Sequence, residues 1–479
     1  MLTVADIIEA LCGQRPTGVE WAITDAVVDS RQAIPGALFV ALPGERVDGH
    51  AYVADAFERG VRVAFVQRDL EEKFPVLDLR QPCDASQLSE QLVRLGRETP
   101  VCLRVSDSLQ ALQNTAHFWR RKLHLRVIGV TGSVGKSTTK ELVAKVLERR
   151  YRTLKSPGNL NNEIGLPLTI LRLTEGHQRA VLEMGFYVPG EIAFLCDIAQ
   201  PQVGVVTNVG TVHAERAGSQ EAIARGKAEL VQALPPGPEG IAVLNYDDPW
   251  VKDMANKTQA TVLFYGLDPQ ADLWADYVEG LGLEGVRLRL HYREETIHLR
   301  VPLIGRHSAH TVLRAAAVGL VEGLSWQEIV NGLRSEHTQL RLVAVRSDSG
   351  ALILDDTYNA SPESTLAALN LLSELGGHKI AVLGDMLELG PYEQSGHELV
   401  GARTAEVVDE LVTVGQLGKI IAESAIQAGL PAIAVTILDD TSQAVEYLLD
   451  RLGPKDVVLI KGSHGMRMDR IVSALEVEP

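Results

Sequence analysis

The run V-T-G-S-V-G-K-S-T-T at 130–139 constrains this chain more than any other segment. It follows a continuous apolar stretch, L-R-V-I-G-V (125–130), and precedes apolar residues at Leu142, Val143, Val146 and Leu147, which share one helical face. A strand, a glycine-rich loop and a helix in that order form a phosphate loop. Gly132 and Gly135 let the backbone wrap so that N–H groups point at phosphate oxygens. Lys136 is placed to reach the terminal phosphates, and Ser137 offers a hydroxyl to Mg²⁺. The strict pattern asks for glycine at position 130, where this chain has Val130.

A phosphate loop needs a covered parallel sheet behind it. Further apolar runs at 179–184, 203–208 and 241–245, with helical patterns between several of them, predict a mostly parallel sheet buried on both faces. Residues 261–305 alternate, as in V-R-L-R-L-H-Y (286–292), which predicts an antiparallel β excursion. Upstream, runs at 36–42 and 61–66 and a helical stretch Tyr52–Arg59 predict a small α/β domain, and a helix over Ser108–Leu123 bridges to the next block. Downstream, strand runs at 351–356, 379–385, 410–415, 432–438 and 456–462 predict a second doubly wound unit. It lacks G-x-G-x-x-G after its first strand, so a dinucleotide site has little support. The expected division is an α/β chain of three domains: 1–105, 106–337 with 106–126 as a linker helix, and 338–479. A length of 479 residues agrees with about three domains.

With 46 Lys+Arg against 62 Asp+Glu the net charge is −16, which argues against nonspecific binding to nucleic acid or anionic membranes. No run of 18 apolar residues exists, and the first ten residues carry no basic stretch, so neither a span nor a signal peptide is expected. Cys12, Cys83, Cys102 and Cys196 are far apart along the chain, which fits reduced thiols in a cytosol.

Ligand groups in parallel sheets gather past the carboxyl ends of strands. Glu183 ends one run, His213 follows the run ending in Thr207-Asn208, and Lys227 sits on a helical segment. Taken singly, Glu183 and His213 read as solvated residues and Lys227 as a surface lysine; their order after a phosphate loop favours a metal and nucleotide site. In the last block Asp355-Asp356-Thr357-Tyr358-Asn359 ends a strand, and Ser361-Pro362 is a helix N-cap and first-turn pair. Lys461-Gly462-Ser463-His464 follows another strand and suits a carboxylate or phosphate as well as a plain polar turn.

With these residues assembled, the chain resembles the Mur ligases of peptidoglycan synthesis over nearly its whole length. In the first block the motifs are D-S-R (29–31), P-G-A-L-F-V-A-L-P-G (35–44) and D-G-H (48–50). The middle block has T-G-S-V-G-K-S-T-T-K-E (131–141), N-L-N-N-E-I-G-L-P (159–167), E-M-G (183–185) and T-N-V-G-T-V-H (207–213). The last has D-D-T-Y-N-A-S-P (355–362), L-G-D-M-L-E-L-G (383–390) and K-G-S-H-G-M-R-M (461–468). The first two of these point to dipeptide-adding members, and the D-N-P-R signature of the tripeptide-forming relative is absent.

The resemblance implies an ATP-dependent ligase that joins D-Ala-D-Ala to UDP-N-acetylmuramoyl-tripeptide through an acyl phosphate, as a cytoplasmic monomer. It implies ATP contacts from Gly132, Ser133, Gly135, Lys136, Ser137, Thr138, Asn245, Arg341 and Asp356. Ser137 and Glu183 would hold one Mg²⁺ and His213 a second, while Lys227 matches a position that the family carbamylates. Lys136, Glu183, His213 and Lys227 are thus the expected catalytic set. Ser30, Arg31, Gly44, Asp48, Gly49, His50 and Asn161 would contact the UDP-sugar substrate, and Tyr358, Asn359, Lys461 and Ser463 would lie near the dipeptide or acyl phosphate. The chain departs from the family at Ser308 and Thr311, where asparagines are usual, and at Val134, Leu340 and His464. Two alternatives stay open here: a sister ligase with another acceptor, and a P-loop ATPase without ligase activity.

Overall fold

The computed structural model describes residues 1–479 apart from 45–46, 71–72, 82–83, 213, 336–342, 450 and 477–479. Among the described residues the strands form three sheets. Compactness divides the chain into two units. One comprises Met1–Gly129, Tyr151–Gly185 and Glu191–Val203; the other comprises Val130–Arg150, Phe186–Gly190 and Gly204–Pro479.

The first sheet has five parallel strands in the order Ala26–Val27, Leu38–Val40, Val63–Val66, Val101–Arg104, Val76–Asp78. The runs at 36–42 and 61–66 contain two of them, and the helix read over Tyr52–Arg59 forms as Val53–Glu58 after a 3₁₀ turn, Gly49–Tyr52. The remaining strands span two to four residues, too short to show a period. The bridging helix runs Ser108–Lys122, with the Asp107 carboxylate accepting from the Leu109 and Gln110 N–H groups. On its last turn the buried Arg120 donates to the carbonyls of Ala199, Leu123, Leu125 and Gln200 at 2.7–3.3 Å. Lys122 joins Arg15 in neutralising Asp6 and Glu9 on the first helix, Val4–Cys12.

The central sheet has nine strands. Its order is Glu295–Val301, Val286–Tyr292, Leu273–Gly280, Thr261–Gly266, Ile241–Asn245, Val203–Val206, Arg126–Thr131, Arg179–Glu183, Thr153–Lys155. The excursion read over 261–305 is antiparallel from Leu273–Gly280 onward, whereas Thr261–Gly266 pairs in parallel with Ile241–Asn245. Arg126–Thr131 has strands from later in the chain on both sides, so it lies at the switch point of the sheet.

The C-terminal sheet shows why its strands read as continuously apolar. Ile353, Val382, Val412 and Val458 pack into one core cluster, and their chain neighbours Leu354, Leu383, Leu411 and Leu459 pack into another. Successive side chains point to opposite faces, and both faces are covered. The order is Val343–Arg346, Leu352–Asp356, Asp456–Lys461, His378–Gly384, Glu410–Val414, Val435–Leu438, with the first strand antiparallel and the others parallel. Ser361 caps the helix Pro362–Glu374 with proline in its first turn, as Ser361-Pro362 predicts. Cys12 is disulfide-bonded, against the expectation of reduced thiols, while Cys102 and Cys196 are buried and free. Spacing along the chain cannot reveal a disulfide, which depends on Cα separation in the fold.

Candidate active site

The predicted loop forms where expected. Strand Arg126–Thr131 ends at Gly132, Gly135 takes a left-handed conformation (φ +83°) as N-cap, and the helix runs Lys136–Leu147. Gly132 has φ +145°, and a Cβ on it would come within 1.8 Å of the Thr207 hydroxyl, so only glycine fits. The segment after strand Val203–Val206 braces the loop. Thr207 Oγ1 donates to the Val134 carbonyl (2.7 Å), Asn208 Oδ1 accepts from the Ser133 and Val134 N–H groups (3.2 and 2.8 Å), and Ser133 Oγ accepts from the Gly210 N–H (2.8 Å). Lys136 folds back along the loop, its ammonium donating to the carbonyls of Gly132 (2.8 Å) and Ser133 (3.3 Å). Lys136, Ser137 and Thr138 open the helix, whose N-terminal turn is of the kind that binds anions.

Lys227 lies on the helix Gln220–Gln232 and is only 2% exposed, which overturns its reading as a surface lysine. Its ammonium is 4.9 Å from the centre of the Phe186 ring, and Gly226 has no side chain to keep that ring off the helix. Burial pushes its pKa well below the usual lysine range, and the like charge of Lys136 pushes it further. Among the described residues no carboxylate pairs with it.

In the other unit Glu183 ends strand Arg179–Glu183 and is fully buried. Its Oε1 accepts from Asn161 Nδ2 at 2.9 Å, and its backbone N–H donates to Ser156 Oγ. Two predicted residues thus meet directly. The N-terminal candidates Ser30 and Arg31 open the 3₁₀ turn Ser30–Gln32, where Ser30 is buried and Arg31 extends outward against Asp29. His50 Nε2 accepts from the Gln67 N–H (2.8 Å), so Nδ1 carries the proton and donates to Asp48 Oδ1 (2.6 Å). Gly49 packs on the backbone of Leu42, where a Cβ would meet N and O within 2.9 Å, and a Cβ on Gly44 would meet the Val47 carbonyl oxygen.

Asn245 ends its strand buried, donating to the Thr207 carbonyl (3.0 Å) and accepting from the Asp247 N–H (3.1 Å). Of the residues that depart from the family, Ser308 donates to the Ile304 carbonyl and Thr311 accepts from Arg314. His310 meets the Asp247 carboxylate at 2.7 Å. Burial works against that carboxylate, but hydrogen bonds from His310 and two backbone N–H groups outweigh it and hold the pKa below the usual range.

In the C-terminal sheet Asp356 and Lys461 occupy paired register positions and form a 2.6 Å ion pair. The same ammonium donates to the Asn359 carbonyl (2.8 Å), Tyr358 meets His464 edge-on, and Ser463 Oγ accepts from the Leu387 N–H (2.8 Å). Lys461→Met leaves the Asp356 carboxylate without its partner, so a loss of about 3–5 kcal/mol is expected. Thermal unfolding would show it, and adding Asp356→Asn should recover much of it; a single variant as stable as its parent would contradict the pairing. His213 and Arg341 lie outside the described residues. The braces Thr207 and Asn208 were landmarks of the sequence reading rather than site residues, although their place at a strand end was the available signal. Glu363, whose Oε1 accepts from the Thr211 N–H at 3.2 Å, and Arg314 carried no signal at all.

Three family models match the chain: the Mur ligase family catalytic domain over 23–120, the Mur ligase middle domain over 130–319, and the Mur ligase glutamate ligase domain over 340–464. The UDP-N-acetylmuramoyl-tripeptide–D-alanyl-D-alanine ligase of Bacillus subtilis is 34% identical, with 100% of this chain and 99% of the relative aligned. The chain belongs to the Mur ligase family. The corresponding Synechocystis enzyme is 36% identical over 95% of this chain and 92% of its own. Among solved structures, this Mur ligase matches a crystal structure of MurF from Acinetobacter baumannii with TM-score 0.81 and 29% identity, over 98% of this chain and 97% of that one. It also matches the ADP complex of MurF from Thermotoga maritima with TM-score 0.75 and 28% identity, over 94% and 96%. No described helix of this Mur ligase is long and apolar enough to cross a membrane.

Proposed function

We propose that this Mur ligase consumes ATP to join D-alanyl-D-alanine to UDP-N-acetylmuramoyl-tripeptide. The observation that carries the reading is the braced phosphate loop with Lys136 folded along it, in a chain aligned end to end with ligases of that activity. The domains divide the work: 1–105 takes the UDP-sugar, 106–337 the nucleotide and 338–479 the dipeptide, in a cytoplasmic monomer.

A free carboxylate is a poor acyl donor because its charge repels nucleophiles and oxide leaves badly. Transfer of the γ-phosphoryl group to the terminal carboxylate of the tripeptide gives an acyl phosphate and ADP. The amine of the dipeptide then attacks the acyl carbon, the amide bond forms, phosphate departs and the ammonium proton is released. Positioning and charge stabilisation supply most of the catalysis in such transfers. The helix N-terminus and Lys136 take up phosphate charge, Ser133, Ser137 and Thr138 line the same turn, and Ser30, Arg31 and the 48–50 turn hold the UDP portion. Tyr358, Asn359, Lys461 and Ser463, at the strand ends of the C-terminal sheet, would meet the incoming dipeptide or the acyl phosphate, and Asp356 the nucleotide.

The Ser137 hydroxyl and the Glu183 carboxylate are oxygen donors of the kind Mg²⁺ takes, and the Asn161 amide steadies the carboxylate. Bound Mg²⁺ would neutralise charge on the transferring phosphoryl group. Burial, with the like charge of Lys136, shifts Lys227 toward its neutral amine, the form that can add CO₂. That step forms an N–C bond, releases one proton and converts the side chain to an anionic carbamate. The reading is tested by the mass of the product from ATP, UDP-N-acetylmuramoyl-tripeptide and D-Ala-D-Ala, which should be the pentapeptide; its absence with intact ATP binding would refute it.

A further inference from the structure

Two arginines of this chain are equally buried, and their surroundings differ in kind. Arg120 and Arg314 are each 4% exposed. Four backbone carbonyls absorb the charge of Arg120, as expected of a structural arginine. Arg314, on the helix Ser308–Val321, donates from Nη2 to Thr311 Oγ1 at 2.7 Å, while its buried Nε has no hydrogen-bond partner. No carboxylate forms an ion pair with it among the described residues. A buried cation left this way is costly unless an anion joins it.

The guanidinium lies against the phosphate loop. Nη2 is 3.1 Å from the point a Cβ would occupy on Gly135, the residue that caps the phosphate helix. Glycine there does more than permit φ +83°: the face without a side chain is the one the cation fills. The guanidinium carbon is also 5.8 Å from the ring centre of Tyr265, whose hydroxyl the guanidinium meets. The Tyr265 hydroxyl is anchored on the carbonyls of Val206 and Thr207, the strand end that braces the loop. Loop, ring and Thr311 hydroxyl therefore hold the cation in place ahead of any ligand.

We propose that Arg314 is a nucleotide-positioning residue: a second fixed cation, behind the phosphate loop, that adds to Lys136 in attracting the nucleotide polyphosphate. The inference rests on the reading that the loop binds a nucleotide. Its mark is a dependence on phosphate number, because a cation beside Gly135 acts on the polyphosphate and leaves the base alone. Calorimetric titration of the full chain with adenosine, AMP and ADP in the presence of Mg²⁺ measures this without turnover.

Arg314→Gln should weaken ADP roughly ten-fold while leaving adenosine within about two-fold, the scale of one lost charge-assisted interaction. Arg314→Lys, which keeps the charge, should recover much of that loss. An unchanged ADP affinity in a Gln variant that melts like the parent would overturn the proposal, as would equal losses for adenosine and ADP. Should the Gln variant not fold, Thr311→Val removes the hydroxyl that holds the fork; a loss that grows with phosphate number supports the proposal, and a uniform loss or none overturns it. A parent chain that binds ADP no better than adenosine would instead refute the loop reading itself.

Discussion

Lys136→Ala should reduce turnover by about 10²–10³-fold, the usual effect of removing one preorganised charge from a transferring group. The ammonium already sits 2.8 Å from the Gly132 carbonyl, so its position along the loop is set by the backbone before a nucleotide arrives. The variant should bind the UDP-sugar substrate with unchanged affinity, because Ser30, Arg31 and the turn at Asp48–His50 belong to the first sheet's domain. Steady-state phosphate release gives the first number and titration with the UDP-sugar the second. Near-normal turnover in Lys136→Ala would remove the phosphate-loop assignment. A parallel loss of UDP-sugar binding would point to general damage.

The second large effect is at Lys227. On the proposed reading Lys227 would stand beside a metal–nucleotide site that repels a protonated lysine, and burial next to Phe186 and the charge of Lys136 already disfavour the ammonium. The neutral amine is the form that captures CO₂, and the product carries a negative charge where a positive one would have stood. Lys227→Ala is therefore expected to lose about ten- to a hundred-fold in activity, as when a group supporting a metal site is removed. Acetate or formate should restore part of it by occupying the vacated anion position, and chloride at matched ionic strength should not. Full activity in the variant, or equal rescue by chloride, would place Lys227 outside the chemistry despite its burial.

Much of this was legible in the chain. The loop at 130–139 was readable because its strand, glycines and helix agree, and the C-terminal strands were readable because a sheet covered on both faces needs unbroken apolar runs. The strands Ala26–Val27 and Val76–Asp78 were not, since two or three residues hold no period. Lys227 misled as an isolated residue: its burial depends on Phe186 lying over Gly226, a contact between segments forty residues apart in the chain. Arg314 was invisible for the same reason. Nothing in the local sequence L-R-A-A-A distinguishes it from an exposed helical arginine, and only the fold puts it against Gly135. The pairing of Asp356 with Lys461 likewise needs strand register, although both were marked as strand-end residues.

The central claim is that ATP hydrolysis in this chain is coupled to joining a dipeptide to a nucleotide-linked tripeptide. Phosphate release measured with ATP and Mg²⁺, with each substrate alone, both together, and free lysine in place of the dipeptide, tests it most directly. Sustained release should require both UDP-N-acetylmuramoyl-tripeptide and D-Ala-D-Ala. Equal release without the dipeptide, or with lysine in its place, would contradict the account.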